Sequence, residues 1–135
     1  MLVRPTKVKI DYSPEKPIWG VFATKLIKKD EVIEECPVIP LDHDDDLFNY
    51  RFAWPKAPTD VPQIYCLPLG YGAVYNHSAN NNNANWINHP TLDRVFQFIA
   101  IKDIKRGEEV CTFYDNGQWF ERDAFNKLPL QGELE

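Results

Sequence analysis

The sequence predicts a mostly β domain, and three observations carry that expectation. Short apolar runs are separated by tight polar turns along almost the whole chain. Eleven prolines in 135 residues leave little room for long helices, because proline lacks the backbone donor that a helix interior or a central strand needs. The length suits one domain with one core, so these strands are expected to share a single interior with one or two short helices at most.

Taken in order, Val3, Thr6, Val8 and Ile10 alternate with polar residues and predict a first strand over 3–10. A turn at Ser13-Pro14-Glu15-Lys16-Pro17 leads to an apolar strand, Ile18–Ala23. The charged turn Lys28-Lys29-Asp30 precedes a third strand over 31–36, and a hairpin between these two is expected. Asp42-His43-Asp44-Asp45-Asp46 then opens an aromatic segment, Leu47–Trp54, which reads as a short helix with acidic residues in its first turn. Five adjacent side chains cannot all face one ion, and no calcium-loop spacing is present, so the acidic run is not read as a metal site. A proline-rich loop over 55–62 leads to a strand at 64–67. Asn80-Asn81-Asn82-Asn83 reads as a turn, followed by strands at 84–88 and 94–101. The turn Lys105-Arg106-Gly107-Glu108 resembles the earlier charged turn and precedes a last strand over 110–114. Trp119-Phe120-Glu121-Arg122 is assigned one helical turn.

Composition narrows the partners. A net charge of −5 disfavours direct nucleic-acid binding, which normally needs a basic patch, and favours basic ligands such as lysine-rich peptides. Cys36, Cys66 and Cys111 are odd in number and widely spaced, so neither a disulfide framework nor a structural zinc site is expected. No apolar run reaches the roughly 18 residues of a membrane span, and Met1 is not followed by a signal-peptide pattern. A soluble intracellular protein is the expectation.

One stretch poses a chemical question. Leu69-Gly70-Tyr71-Gly72-Ala73-Val74-Tyr75 is largely apolar and ends in Asn76-His77-Ser78. A polar triplet at the end of a segment that seeks burial must find partners, either in the fold or in a ligand.

Three separated segments then share an order and spacing: Trp19-Gly20-Val21-Phe22-Ala23, continuing to Glu34-Glu35-Cys36; Gly72 to Ser78; and Asp103-Ile104-Lys105-Arg106-Gly107-Glu108-Glu109, ending at Tyr114. Together they resemble the SET domain of protein-lysine methyltransferases, closest to the minimal stand-alone forms of the viral type. The likeness runs from about Val8 to Trp119.

The resemblance implies small β-sheets with a C-terminal pseudoknot that brings residues near 76 and 114 together. It implies a single SET domain over 1–135, with a core of about 8–119 and no pre-SET or zinc-binding post-SET module. It implies transfer of a methyl group from S-adenosylmethionine to a lysine side chain of a protein, with a histone tail as a candidate substrate. Backbone groups around Trp19 and Gly20, the residues Asn76 and His77, and Trp119 would meet the cofactor. Tyr114 would be the catalytic tyrosine, shared by cofactor and substrate sides, and Tyr50 would line the lysine channel. Without a zinc cap, apolar surface is expected to be covered by a second copy, giving a homodimer.

The chain also departs from the family pattern. Ile18-Trp19-Gly20 stands where Gly-x-Gly is usual, Asn81-Asn82 where Pro-Asn follows the Asn-His-Ser triplet, and Gln118 where an aromatic precedes Trp119. Thr112 takes a position where many relatives carry a channel aromatic. These departures motivate an alternative: a SET-fold binding module with weakened catalysis. Glu108 and Glu109 are read as turn or salt-bridge residues.

Overall fold

The computed structural model describes residues 1–13, 17–41 and 52–113. Nine strands occupy them: β1 (Val8–Ser13), β2 (Ile18–Ala23), β3 (Val32–Pro40), β4 (Phe52–Trp54), β5 (Ile64–Pro68), β6 (Asn76–His77), β7 (Ala84–Asn88), β8 (Val95–Ala100) and β9 (Cys111–Thr112). They form a two-stranded sheet β1-β2, a five-stranded sheet β4-β5-β3-β8-β7 and a two-stranded sheet β6-β9. The mostly β expectation holds. Among the described residues the only helical element is a 3₁₀ turn, Gly72–Val74, and no helix is long and apolar enough to cross a membrane.

The core lies against the five-stranded sheet. Phe96, Phe98 and Ala100 alternate inward along β8, and Ala84 and Trp86 do so on β7, opposite Ala100 and Phe98. Period-two alternation is what a sheet with one covered face requires. Phe52 packs edge-on to Trp86 with ring centroids 4.9 Å apart, and Tyr75 stacks on Phe98 at 4.5 Å. The three cysteines are buried free thiols. Burial pushes the Cys36 and Cys66 thiols far up from their ordinary range, so both stay protonated.

Several sequence expectations are corrected. The strand at 18–23 pairs antiparallel with β1, whose range is 8–13 rather than 3–10. The strand at 32–40 pairs instead with β5 and β8. The segment read as a helix over 47–54 is a strand at Phe52–Trp54, hydrogen-bonded to β5, and its earlier part lies outside the described residues. Among the described residues the last strand is Cys111–Thr112, and Tyr114 lies outside them. The helical turn at 119–122 is also outside the described residues.

The two similar charged turns explain why the expected hairpin does not form. Each bonds the segment that leads into the other turn instead of pairing its own flanks. Ile27 N donates to Ile104 O at 2.9 Å, and Ile104 N donates to Ile27 O at 2.7 Å. Ala23 N donates to Glu108 O and Ala100 N to Glu31 O, at 2.9 and 3.0 Å. Gly107 N and Asp30 N close the set by donating to Ala23 O and Ala100 O, both at 2.8 Å. Each turn therefore makes the other's bonds in reverse, an approximate two-fold arrangement. Asp30 and Gly107 hold equivalent left-handed positions, at φ 72° and 91°, a region that glycine enters freely and aspartate tolerates. The arrangement fixes where the chain goes next: Phe22 bridges Glu109, and Val110 N donates to Val21 O at 2.7 Å. The last described segment is thus laid along β2, beside Gly20.

Candidate active site

The site forms where β2, β6 and β9 meet. β6 and β9 run parallel, with Asn76 opposite Cys111 and His77 opposite Thr112. Ser78 N continues the pairing by donating to Thr112 O at 2.9 Å. On its other side β9 is held by Asn83, which is buried. Cys111 N donates to Asn83 Oδ1 at 2.9 Å, Asn83 Nδ2 donates to Glu109 O at 2.8 Å, and Asn83 N donates to Cys111 O at 3.0 Å. Residues 111–112 are therefore bracketed by the 76–83 segment on both sides. This is the pairing that the pseudoknot expectation required, and it answers part of the polar-triplet question: backbone groups of the triplet are satisfied by β9.

Gly20 sits at the centre of a close approach. A Cβ built there would lie 2.6 Å from Glu109 Oε2 and 2.9 Å from Asn76 Nδ2, distances no carbon tolerates. The Asn76 carboxamide donates to Glu109 Oε2 at 2.7 Å and to the Trp19 carbonyl at 3.2 Å. Glycine is needed here for clearance, since its φ is not among the positive ones. Ile18, at the place of the usual first glycine, also avoids positive φ and lies in the extended β2 strand. Losing that glycine therefore imposes no left-handed strain.

Of the residues named from the sequence, Trp19, Gly20, Asn76 and His77 are brought together. The Trp19 side chain is 60% exposed and meets Tyr12 edge-on at 5.5 Å. His77 is exposed, its ring 5.4 Å from that of Phe113, so it is not a buried brace of the β9 segment. Tyr50, Tyr114 and Trp119 lie outside the described residues. Glu108 closes its turn by accepting from Lys105 N at 2.8 Å, as a turn residue should. Glu109 does more than a turn residue: its carboxylate receives Asn76 beside Gly20. Sequence reasoning misses Asn83 and Glu109 as site residues. Asn83 is hidden in a run of identical residues, and Glu109 is indistinguishable in sequence from an ordinary turn charge.

The chemistry of this corner suits a cationic ligand. A carboxylate and a backbone carbonyl, both bonded to Asn76, stand beside Gly20, and the exposed aromatics Trp19, His77 and Phe113 lie on or next to the strands that meet there. Thr112 Oγ1 is fully buried and, among the described residues, has no hydrogen-bond partner. Such a hydroxyl is costly unless something bonds it.

A buried carboxylate supports the corner from behind. Glu34 on β3 is 1% exposed. Its Oε1 accepts the Tyr75 hydroxyl at 2.6 Å, and its Oε2 accepts Tyr71 N at 3.4 Å. Burial raises its pKa above the ordinary 4.5 and outweighs the hydrogen bonds from Tyr75, Tyr71 and Cys36, which lower it. Between 4.5 and the raised value the native state holds a proton that the unfolded chain has released. Glu34's contribution to stability is thus fully present below that window and is lost as pH rises through it. Glu34→Gln is expected to flatten this decline, measured by urea unfolding across a pH series. An unchanged slope would show that Glu34 does not carry it.

A model of the SET domain matches residues 18–115, which span β2 through β9 and the knot between them. The chain belongs to the SET domain family. Among curated proteins, this SET domain is 26% identical over 113 residues to a Schizosaccharomyces pombe histone-lysine N-methyltransferase specific for H3 lysine-37, covering 78% of this chain and 71% of that protein. Among solved structures, it resembles a Plasmodium falciparum protein assigned as a histone methyltransferase, with a TM-score of 0.65 and 30% identity over 82% of this chain and 95% of the other. The methyltransferase domain of human PR domain-containing protein 2 shares the fold at a TM-score of 0.57, with 19% identity and coverage of 83% and 79%.

Proposed function

We propose that this SET domain is an S-adenosylmethionine-dependent protein-lysine N-methyltransferase, with a histone tail as its candidate substrate. The observation that carries the reading is the Gly20–Asn76–Glu109 corner, where a glycine lets the Asn76 carboxamide and the Glu109 carboxylate pack together against the β2 main chain. Bound there, S-adenosylmethionine would supply the activated methyl group. The Trp19 carbonyl, the Asn76 carboxamide and the faces of Trp19 and His77 would bind and orient it. Its adenine would meet Trp119. The histone-methyltransferase relatives support lysine as the acceptor.

The reaction asks little proton chemistry of the protein beyond a neutral amine. A free lysine titrates near 10.4, so deprotonation at pH 8 costs roughly 3 kcal/mol. A positively charged cofactor nearby and an apolar channel, to which Tyr50 is assigned, both lower that cost. Tyr114 would orient the amine through its hydroxyl and stabilise developing positive charge with its ring, without acting as a base.

The test is methyl transfer from labelled cofactor to core histones and lysine-rich peptides. Wild-type protein is expected to label lysine, with the acceptor and methyl count read by mass spectrometry. Tyr114→Phe is expected to lower the rate about tenfold, the worth of one well-placed hydroxyl. Absence of labelling with every protein offered would remove the assignment, and equal labelling by the variant would remove Tyr114 from the mechanism.

A further inference from the structure

We propose that Glu34 is a positioning residue for the cofactor side of the site, acting through the Tyr75 hydroxyl on the Asn76–His77 strand; this rests on the reading of that strand as the S-adenosylmethionine contact.

The need for such a residue follows from the strand itself. β6 has two residues and belongs to a two-stranded sheet with an equally short partner. Two residue pairs cannot fix a backbone alone, since isolated short ladders are marginal in water. Downstream, β6 is anchored by Ser78 and Asn83 on β9. Upstream it is preceded directly by Tyr75, which is fully buried, stacks on Phe98 and donates its hydroxyl to Glu34 at 2.6 Å. That bond ties β6 to β3, the middle strand of the five-stranded sheet.

The fold is arranged to deliver this carboxylate. The register of β3 against β8 shifts between Val32 and Glu34, so Ile33 is an extra residue. Such a bulge re-aims the next side chain, and Glu34 joins Cys36 and Val38 in the interior. The Gly70 turn wraps around it: at φ +68°, a Cβ there would lie 2.8 Å from Glu34 Oε2. Gly72 packs likewise, its missing Cβ 3.2 Å from Cys36 Sγ. The two glycines of the 69–75 stretch thus close over Glu34 and Cys36. The titratable groups facing the carboxylate are Tyr71 and Tyr75 from this stretch and Cys36 from its own strand. A carboxylate buried beneath a turn is an expensive structural device, and an apolar residue would fill the space more cheaply. Its use is the fixed position it gives Tyr75, and through Tyr75 the start of the cofactor strand.

Two variants test this. Tyr75→Phe removes only the hydroxyl and keeps the ring on Phe98. Glu34→Gln keeps the shape but sets an amide donor against the Tyr71 N–H. Each is expected to raise the S-adenosylmethionine Kd, by calorimetry, and the cofactor KM about tenfold, with the KM for peptide unchanged. The double variant is expected to lose no more than the worse single one, because both break one linkage. A merely structural role would lower the melting temperature and leave the cofactor-against-peptide KM split untouched. Folded variants with wild-type cofactor Kd would overturn the inference alone. A wild-type protein that binds no S-adenosylmethionine would remove the function reading, and this inference with it.

Discussion

Gly20→Ala is expected to lower stability by roughly 2–3 kcal/mol and to weaken S-adenosylmethionine binding about tenfold or more. The new methyl group would stand 2.6 Å from Glu109 Oε2 and 2.9 Å from Asn76 Nδ2. Both atoms are ends of side chains, so both can swing away, and the strands that carry them need not move. The cost therefore falls on the hydrogen bonds of the corner. Displacing the Asn76 carboxamide breaks its bonds to Glu109 and to the Trp19 carbonyl, so the polar groups proposed to orient the ligand lose their arrangement. Two lost internal contacts at roughly 1–1.5 kcal/mol each account for the stability loss, and the displaced carboxamide accounts for the weaker binding. Titration calorimetry gives the affinity, and thermal unfolding checks the fold. Wild-type affinity in the variant would mean that the cofactor does not approach Gly20.

Much of this corner is legible in the sequence, for reasons that vary by residue. The strands at 18–23, 84–88 and 95–100 are readable because each is a short apolar run bounded by turn residues, as a strand packed on a core requires. Gly20, Asn76 and His77 are readable only through the joint spacing of three segments that resemble the SET domain, since each alone is a common residue. The partner of β2 is not readable. A charged turn between two apolar strands is compatible with a hairpin, and nothing local reveals that Lys28–Glu31 bonds Ala100 and Lys105–Glu108 bonds Ala23, each upstream of the other turn. Phe52 and Trp54 read as helical because the aromatic run carries no alternation. Pairing with β5 decides the matter, a case of tertiary context overriding local propensity. Glu34 resembles one more strand charge, and only the bulge at Ile33 turns it inward.

Asn83→Ala is expected to destabilise the domain by about 2–4 kcal/mol, whereas Asn80→Ala and Asn81→Ala should each stay within about 0.5 kcal/mol. The four asparagines are identical as sequence and unlike as chemistry. Asn80 and Asn81 are exposed. Asn81 contributes its backbone N–H to Ser78 Oγ at 3.1 Å, which alanine retains. Asn83 is buried, and its carboxamide satisfies one backbone donor and one backbone acceptor of the enclosed segment, Cys111 N and Glu109 O. Alanine leaves both groups without that partner, and each unsatisfied buried group costs roughly 1–3 kcal/mol. Chemical denaturation of the three variants measures the contrast, and near-equal midpoints would show that Asn83 does not hold β9. The loss should extend to the site. Asn83 fixes the Glu109 carbonyl, and the Glu109 carboxylate receives Asn76, so a slackened β9 moves the acceptor that aligns the cofactor strand. The asparagine run therefore preserves the corner through its last member, while its first two residues face solvent.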